Sequence, residues 1–287
     1  MRGCDAMSTQ VHRVDARLPA SPLAMFANQW NHRGLTLQLA KREVAGRYRG
    51  SVAGLAWSFI SPLLMLVIYT FFFSVVFKAR WTQAPGEDKV DFAFPLFCGL
   101  IAYAMFAECV NRAPSLVIAN ANYVKRVVFP LDILPMVVLL SALFHAMVSL
   151  VVLLVAIAAT GRQVHAAAFL VPVLLLPLAL VSLGLSWLLA SVGTFVRDTS
   201  QFALFFTTAA MFLSPVFFPM SAMPVEFRGP MALNPLTQAI EQMRQAIIWG
   251  GLPPIGAYLA QLAVGLAVAW AGFWWFQRTR RGFADVI

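Results

Sequence analysis

The sequence predicts an all-α membrane protein with about six transmembrane helices, and three observations lead there. Of 287 residues, 60% are hydrophobic and only 11% charged, where a soluble domain carries roughly 25% charged side chains. Several apolar runs exceed the ~18–20 residues needed to cross ~30 Å of hydrocarbon. The basic residues fall between those runs, with 15 of the 21 Lys and Arg on one side of an alternating topology. The positive-inside rule then puts both termini in the cytoplasm.

The elements follow in order. Residues 1–33 are polar and lack the apolar stretch of a signal peptide, which makes them a weakly ordered cytoplasmic tail and leaves insertion to the first span. Over 35–48 a helix places Leu37, Ala40, Val44 and Tyr48 on one side and Gln38, Arg42 and Arg49 on another. Its basic, half-apolar character suits the inner headgroup layer. Spans are expected at about 52–77, 92–112, 133–160, 168–195, 202–218 and 255–276. Between the second and third, Asn120, Asn122, Lys125 and Arg126 are too polar to continue a span.

The segment 220–251 is the least ordinary. Pro224, Pro230 and Pro235 punctuate it, and Leu236, Ile240, Met243 and Ile247 recur at helical spacing. Asn234 before Pro235 is a capping side chain followed by proline at the first helical position. One reading is a broken helix dipping into the outer half of the membrane, where non-helical backbone must face protein or water. The other is a helix lying flat on the outer surface.

The chemistry is sparse. The charge of +9 lies in loops, not in a patch on a soluble fold, so nucleic acid is not an expected partner. No G-x-x-x-x-G-K-[ST] phosphate loop, H-E-x-x-H or G-x-S-x-G motif occurs. Cys98 and Cys109 are eleven residues apart on one helix, hence ~16 Å apart, too far to share a disulfide or a metal. Glu108 is the one acid well inside a span, with Arg112 at i+4. It is either half of a snorkelling ion pair or a pore-facing acid. His145, mid-span, is expected to hydrogen-bond between helices. Trp57, Trp81, Trp187 and Trp270 read as interface or packing residues. The aromatics from Tyr69 to Phe77, with Phe217 and Phe218, are either packing or flat faces along a conduit.

Lys41-Arg42-Glu43, Arg47-Tyr48-Arg49-Gly50-Ser51, Gly54, Trp57 and Pro62 open a pattern continued by 122–135, Arg197-Asp198, Ser214-Pro215, Asn234-Pro235-Leu236 and Gly282-Phe283-Ala284-Asp285. Over roughly residues 36–287 this resembles the polysaccharide-type ABC-2 permeases, membrane subunits that export O-antigen, some capsules and teichoic acids. The resemblance implies a cytoplasmic coupling helix and re-entrant helices before the last span, in a bacterial inner-membrane protein. It implies a homodimer driven by two nucleotide-binding subunits that hold ATP and Mg, with no cofactor or metal on this chain. Lys41, Arg42, Arg47, Tyr48 and Arg49 would meet the diphosphate of a lipid-linked glycan. Asn122, Tyr123, Lys125, Arg126 and Asp132 would couple to the ATPase. Tyr69, Phe73, Phe77, Glu108, Phe217, Phe218, Asn234 and Arg244 would line a channel or gate. An exporter of a lipid or drug, an ion-coupled carrier and a glycolipid enzyme are the alternatives.

Overall fold

The computed structural model describes residues 21–76, 89–124 and 129–286, and all regular structure among them is helical. Two helices come first, α1 (Pro22–Asn31) and α2 (Arg33–Tyr48). The expected polar tail therefore stops short of residue 33: Ser21 caps α1 by accepting from the Ala24 amide at 3.2 Å, Pro22 occupies the first turn, and Met25 is buried. Along α2 the buried positions are Thr36 and Ala40, while Leu37, expected on the apolar side, is exposed. Polar pairing picks that face: Glu43 and Arg47, next on the same stripe, bond to α4, described below.

Gly50 and Gly54 have φ of 85° and 52°, values that a side chain makes costly. They let the chain turn from α2 into α3 (Trp57–Tyr69), which runs on as a π-helical stretch, Thr70–Val76. The next helices are α4 (Lys89–Arg112), α5 (Leu134–Ala159) and α6 (Leu176–Phe195). After them come α7 (Thr199–Phe212), α8 (Val225–Ala232), α9 (Pro235–Ile248) and α10 (Ile255–Thr279).

Five stretches among the described residues are long and apolar enough to cross a bilayer: Gly54–Phe73, Phe92–Ala119, Leu131–Ala159, Ala166–Phe195 and Ile255–Gly282. The remaining expected span, 202–218, differs. Its helix α7 has 14 residues, about 21 Å at 1.5 Å per residue, and the chain then breaks around Ser214-Pro215. Proline has no amide hydrogen to continue the ladder.

Helix direction explains what the broken stretch accomplishes. Along α6 and α10 the contacts keep one register: Pro177 lies against Gly265, Gly184 against Gly272, and the Ser191 and Thr279 hydroxyls are 2.6 Å apart. The two helices are therefore parallel. α4 runs the same way, because the Ser186 hydroxyl donates to the Cys109 carbonyl at 3.3 Å and Gly193 packs on Pro114 further along. Between α6 and α10 the chain must return to its starting end, and α7 with the 213–254 segment makes that return.

The core is centred on α6, which packs against α4, α5 and α10. Trp187 is fully buried with its ring edge-on to Phe273 at 5.2 Å, so it is a packing residue. Cys98 and Cys109 are buried free thiols. Trp57 and Trp270 are exposed, and Trp81 lies outside the described residues. α2 packs at the C-terminal end of α4, whereas α9 packs near its N-terminal end, against Pro95 and Gly99.

Candidate functional site

The residues expected in one conduit divide between the two ends of the bundle. At the C-terminal end of α4, Arg47 of α2 donates to Glu108 at 2.6 Å, and His145 of α5 lies 3.2 Å from the other carboxylate oxygen. Arg112 approaches Glu108 at 3.5 Å but bonds to Glu43 of α2. The local i,i+4 pair is thus only part of a network that ties α2 to the spans. A carboxylate there, with a side chain 15% exposed, needs such partners in a low-dielectric setting.

The Nδ1 atom of His145 also stands 3.1 Å from Arg47. It serves one neighbour at a time. Without a proton it accepts from the guanidinium; with one it donates to Glu108. The Tyr48 ring lies edge-on to the imidazole at 6.1 Å, and burial raises the Tyr48 phenol, so it stays neutral at physiological pH.

Beside this network lies a cavity of about 520 Å³, lined on its polar side by Arg42, Glu43, Arg47, Arg112 and Asn120. Three guanidiniums against one lining carboxylate give it a positive balance. Of the basic residues expected to meet an anion, Arg42 and Arg47 reach this cavity. Lys41 and Arg49 are exposed and are not part of its lining. Glu43 and Arg112 join from outside the expected anion-binding set, and their spacing gave no sign of it.

The segment expected to meet an ATPase is described only in part. Asn122 is exposed in a short helix, Ala121–Val124. The Tyr123 side chain, Lys125 and Arg126 lie outside the described residues, as does Phe77 of the aromatic set. Asp132 departs from the expectation. It is fully buried and accepts hydrogen bonds from Asn28 and Gln29 of α1, with Arg280 at 3.5 Å. Its carboxylate faces inward and offers no surface for a partner.

At the opposite end, Phe73 stacks between Phe92 at 5.6 Å and Phe217 at 5.9 Å, with Tyr69 at 6.4 Å. Phe218 follows, partly buried. Asn234 caps α9 by accepting from the Leu236 amide at 3.0 Å and holds the Ser214 hydroxyl at 2.9 Å. Arg244 is fully buried. It donates to the carbonyls of Pro95 at 2.9 Å and Val216 at 3.0 Å and pairs with Glu241 at 2.8 Å. One guanidinium therefore fastens α9 to both α4 and the break after α7. Phe92 was not foreseen here; its position in an apolar run carries no mark of a stack.

Among the described residues no cluster of His, Cys, Asp or Glu could hold a metal ion.

Comparison with known proteins accords with this chemistry. Residues 34–248 match the ABC-2 type transporter family. The chain is 28% identical over 260 residues to the O-antigen export system permease protein RfbA of Myxococcus xanthus, covering 90% of this chain and 97% of the relative. It is 23% identical to an RfbA of Klebsiella pneumoniae, over 88% of this chain and 95% of the relative. It is 26% identical to the polysialic acid transport protein KpsM of Escherichia coli, over 73% of this chain and 79% of the relative. The chain thus belongs to the ABC-2 type transporter family, as a multi-pass membrane permease, not an enzyme, in a system whose ATPase is a separate subunit.

Proposed function

We propose that this chain is the transmembrane subunit of an exporter that moves a lipid-linked polysaccharide, of O-antigen type first, from the cytoplasmic to the outer side of the inner membrane. The observation that carries this reading is the arginine-lined cavity between α2 and the spans, in a chain whose relatives are named for O-antigen export and polysialic acid transport. A glycan carried on a lipid diphosphate presents an anion at the depth of the headgroups, and guanidiniums are suited to planar, bidentate phosphate recognition. Each basic side chain near an anionic surface contributes about 1 kcal/mol to holding it there.

In this reading α2 lies in the cytoplasmic headgroup layer and both termini are cytoplasmic. Two copies enclose the conduit, since five spans and the short α7, with few buried charges, are too few to enclose a wide pore alone. Two ATPase subunits dock near Asn122, Lys125 and Arg126. The aromatic stack and the α8–α9 segment form the outer gate.

The test is reconstitution of the permease with its ATPase and radiolabelled lipid-diphosphate glycan. Replacing Lys41, Arg42, Arg47 and Arg49 by Gln should abolish export while leaving the complex assembled. Normal export by that variant would remove the diphosphate role. Export that runs on a proton or sodium gradient without ATP would instead make the chain a secondary carrier.

A further inference from the structure

Four elements meet at a single buried residue, Asp132, through its carboxylate and its main-chain carbonyl, and nothing in the anion cavity or the outer gate uses it. Asp132 stands just after the turn that leaves the proposed ATPase-docking stretch, at the entry to α5. Its Oδ2 takes the Asn28 amide of α1, with Gln29 at 3.4 Å, and its Oδ1 faces Arg280 at 3.5 Å. Its main-chain carbonyl accepts the indole N–H of Trp187 in α6 at 2.9 Å. Arg280, just past α10, donates to the Phe129 carbonyl at 2.9 Å as well. One guanidinium therefore grips the chain on both sides of Pro130.

We propose that Asp132 and Arg280 form a transmission node, through which displacement of the docking stretch reaches α1, α5, α6 and α10 together. The geometry favours this over a purely local brace. A force applied before Phe129 meets a chain held at two points by Arg280, so the turn at Pro130 cannot absorb it by rotating alone. Rigid elements sharing a hydrogen-bonded hub move as one body, which is how a small shift at an interface becomes a helix movement. A charged hub suits this better than an apolar one, because a buried carboxylate that loses a partner is strongly penalised. The hub therefore resists being pulled apart.

Asp132 and Arg280 are positioning residues in this account, acting through α5 and α10 and never touching cargo. The inference rests on the ATPase docking near Asn122, Lys125 and Arg126, and its test separates the two. Asp132→Asn and Arg280→Lys are each purified with the ATPase subunit and reconstituted. Lysine keeps the charge, but its single short head cannot hold Phe129 and Asp132 at once.

Expected for both variants is normal retention of the ATPase, nucleotide hydrolysis within about twofold of the parent, and glycan exported per ATP reduced about tenfold, the size of an ordinary coupling energy. Export per ATP equal to the parent's in Arg280→Lys would overturn the node, whether or not Asp132→Asn folds. Failure of the docking reading looks different: charge reversal of Lys125 and Arg126 would leave ATPase binding intact, whatever the node variants do.

Discussion

Arg47 and Glu108 are 61 residues apart in sequence and meet at 2.6 Å, nearer than the Arg112 that follows Glu108 by one helical turn. A helix outside the spans thus supplies the main cation for the acid within them, and Arg112 is released to bond Glu43. The position of α2 is set by exchanged ion pairs more than by apolar burial, since only Thr36 and Ala40 are buried along it.

That exchange predicts a measurable coupling. A double-mutant cycle on Arg47→Gln and Glu108→Gln should return about 1 kcal/mol, modest because the Arg47 side chain is 41% exposed and solvent screens the pair. Thermal unfolding of the purified permease gives the number. Additive effects of the two changes would mean that the contact does not hold α2.

Arg244 should matter more for stability. Arg244→Met deprives the Pro95 and Val216 carbonyls of their donor, and a buried polar group left unpaired costs about 1–3 kcal/mol. Protease cleavage within 213–234 should accelerate in the variant, because that segment loses its anchor to α4. Arg244→Lys should recover part of the protection, since an ammonium reaches fewer of the three acceptors. Unchanged cleavage in both variants would show that Arg244 does not fasten the segment.

Gly272 offers a sharper contrast. A Cβ there would lie 2.0 Å from the Gly184 carbonyl oxygen, whereas one on Gly256 in the same helix would meet nothing within 4 Å. Helices packed in a membrane rely on such small residues for close approach. Gly272→Leu should destabilise the fold by about 1–3 kcal/mol or more, while Gly256→Ala should stay within about 0.5 kcal/mol. Yield of monodisperse protein and melting temperature discriminate. Equal behaviour of the two would contradict the α6–α10 packing.

The aromatic stack makes a prediction about the resting state. If Phe73 and Phe217 close the outer gate, Phe217→Ala removes a contact worth about 0.5–1.5 kcal/mol beyond its area and should raise passive leak of a small solute from proteoliposomes. Phe217→Tyr, which keeps the ring, should not. A leak rate independent of residue 217 would reassign the stack to packing alone.

The sequence by itself determined the class of the molecule. Apolar runs of spanning length and scarce charge leave a membrane bundle as the way to satisfy both the side chains and the backbone. Asn234-Pro235 fixed where α9 begins, and the proline-rich segment after α7 announced a break, because caps and prolines act within a few residues of themselves. Tertiary structure alone decided the partners. Nothing in residue spacing tells Glu108 to prefer Arg47, sends Asp132 inward to Arg280, or seats Phe73 between Phe92 and Phe217. Those contacts depend on which helix faces which, and that is settled by close approach at Gly184 and Gly272 and by buried polar groups seeking partners. Both are properties of the packed bundle and of no single helix in it.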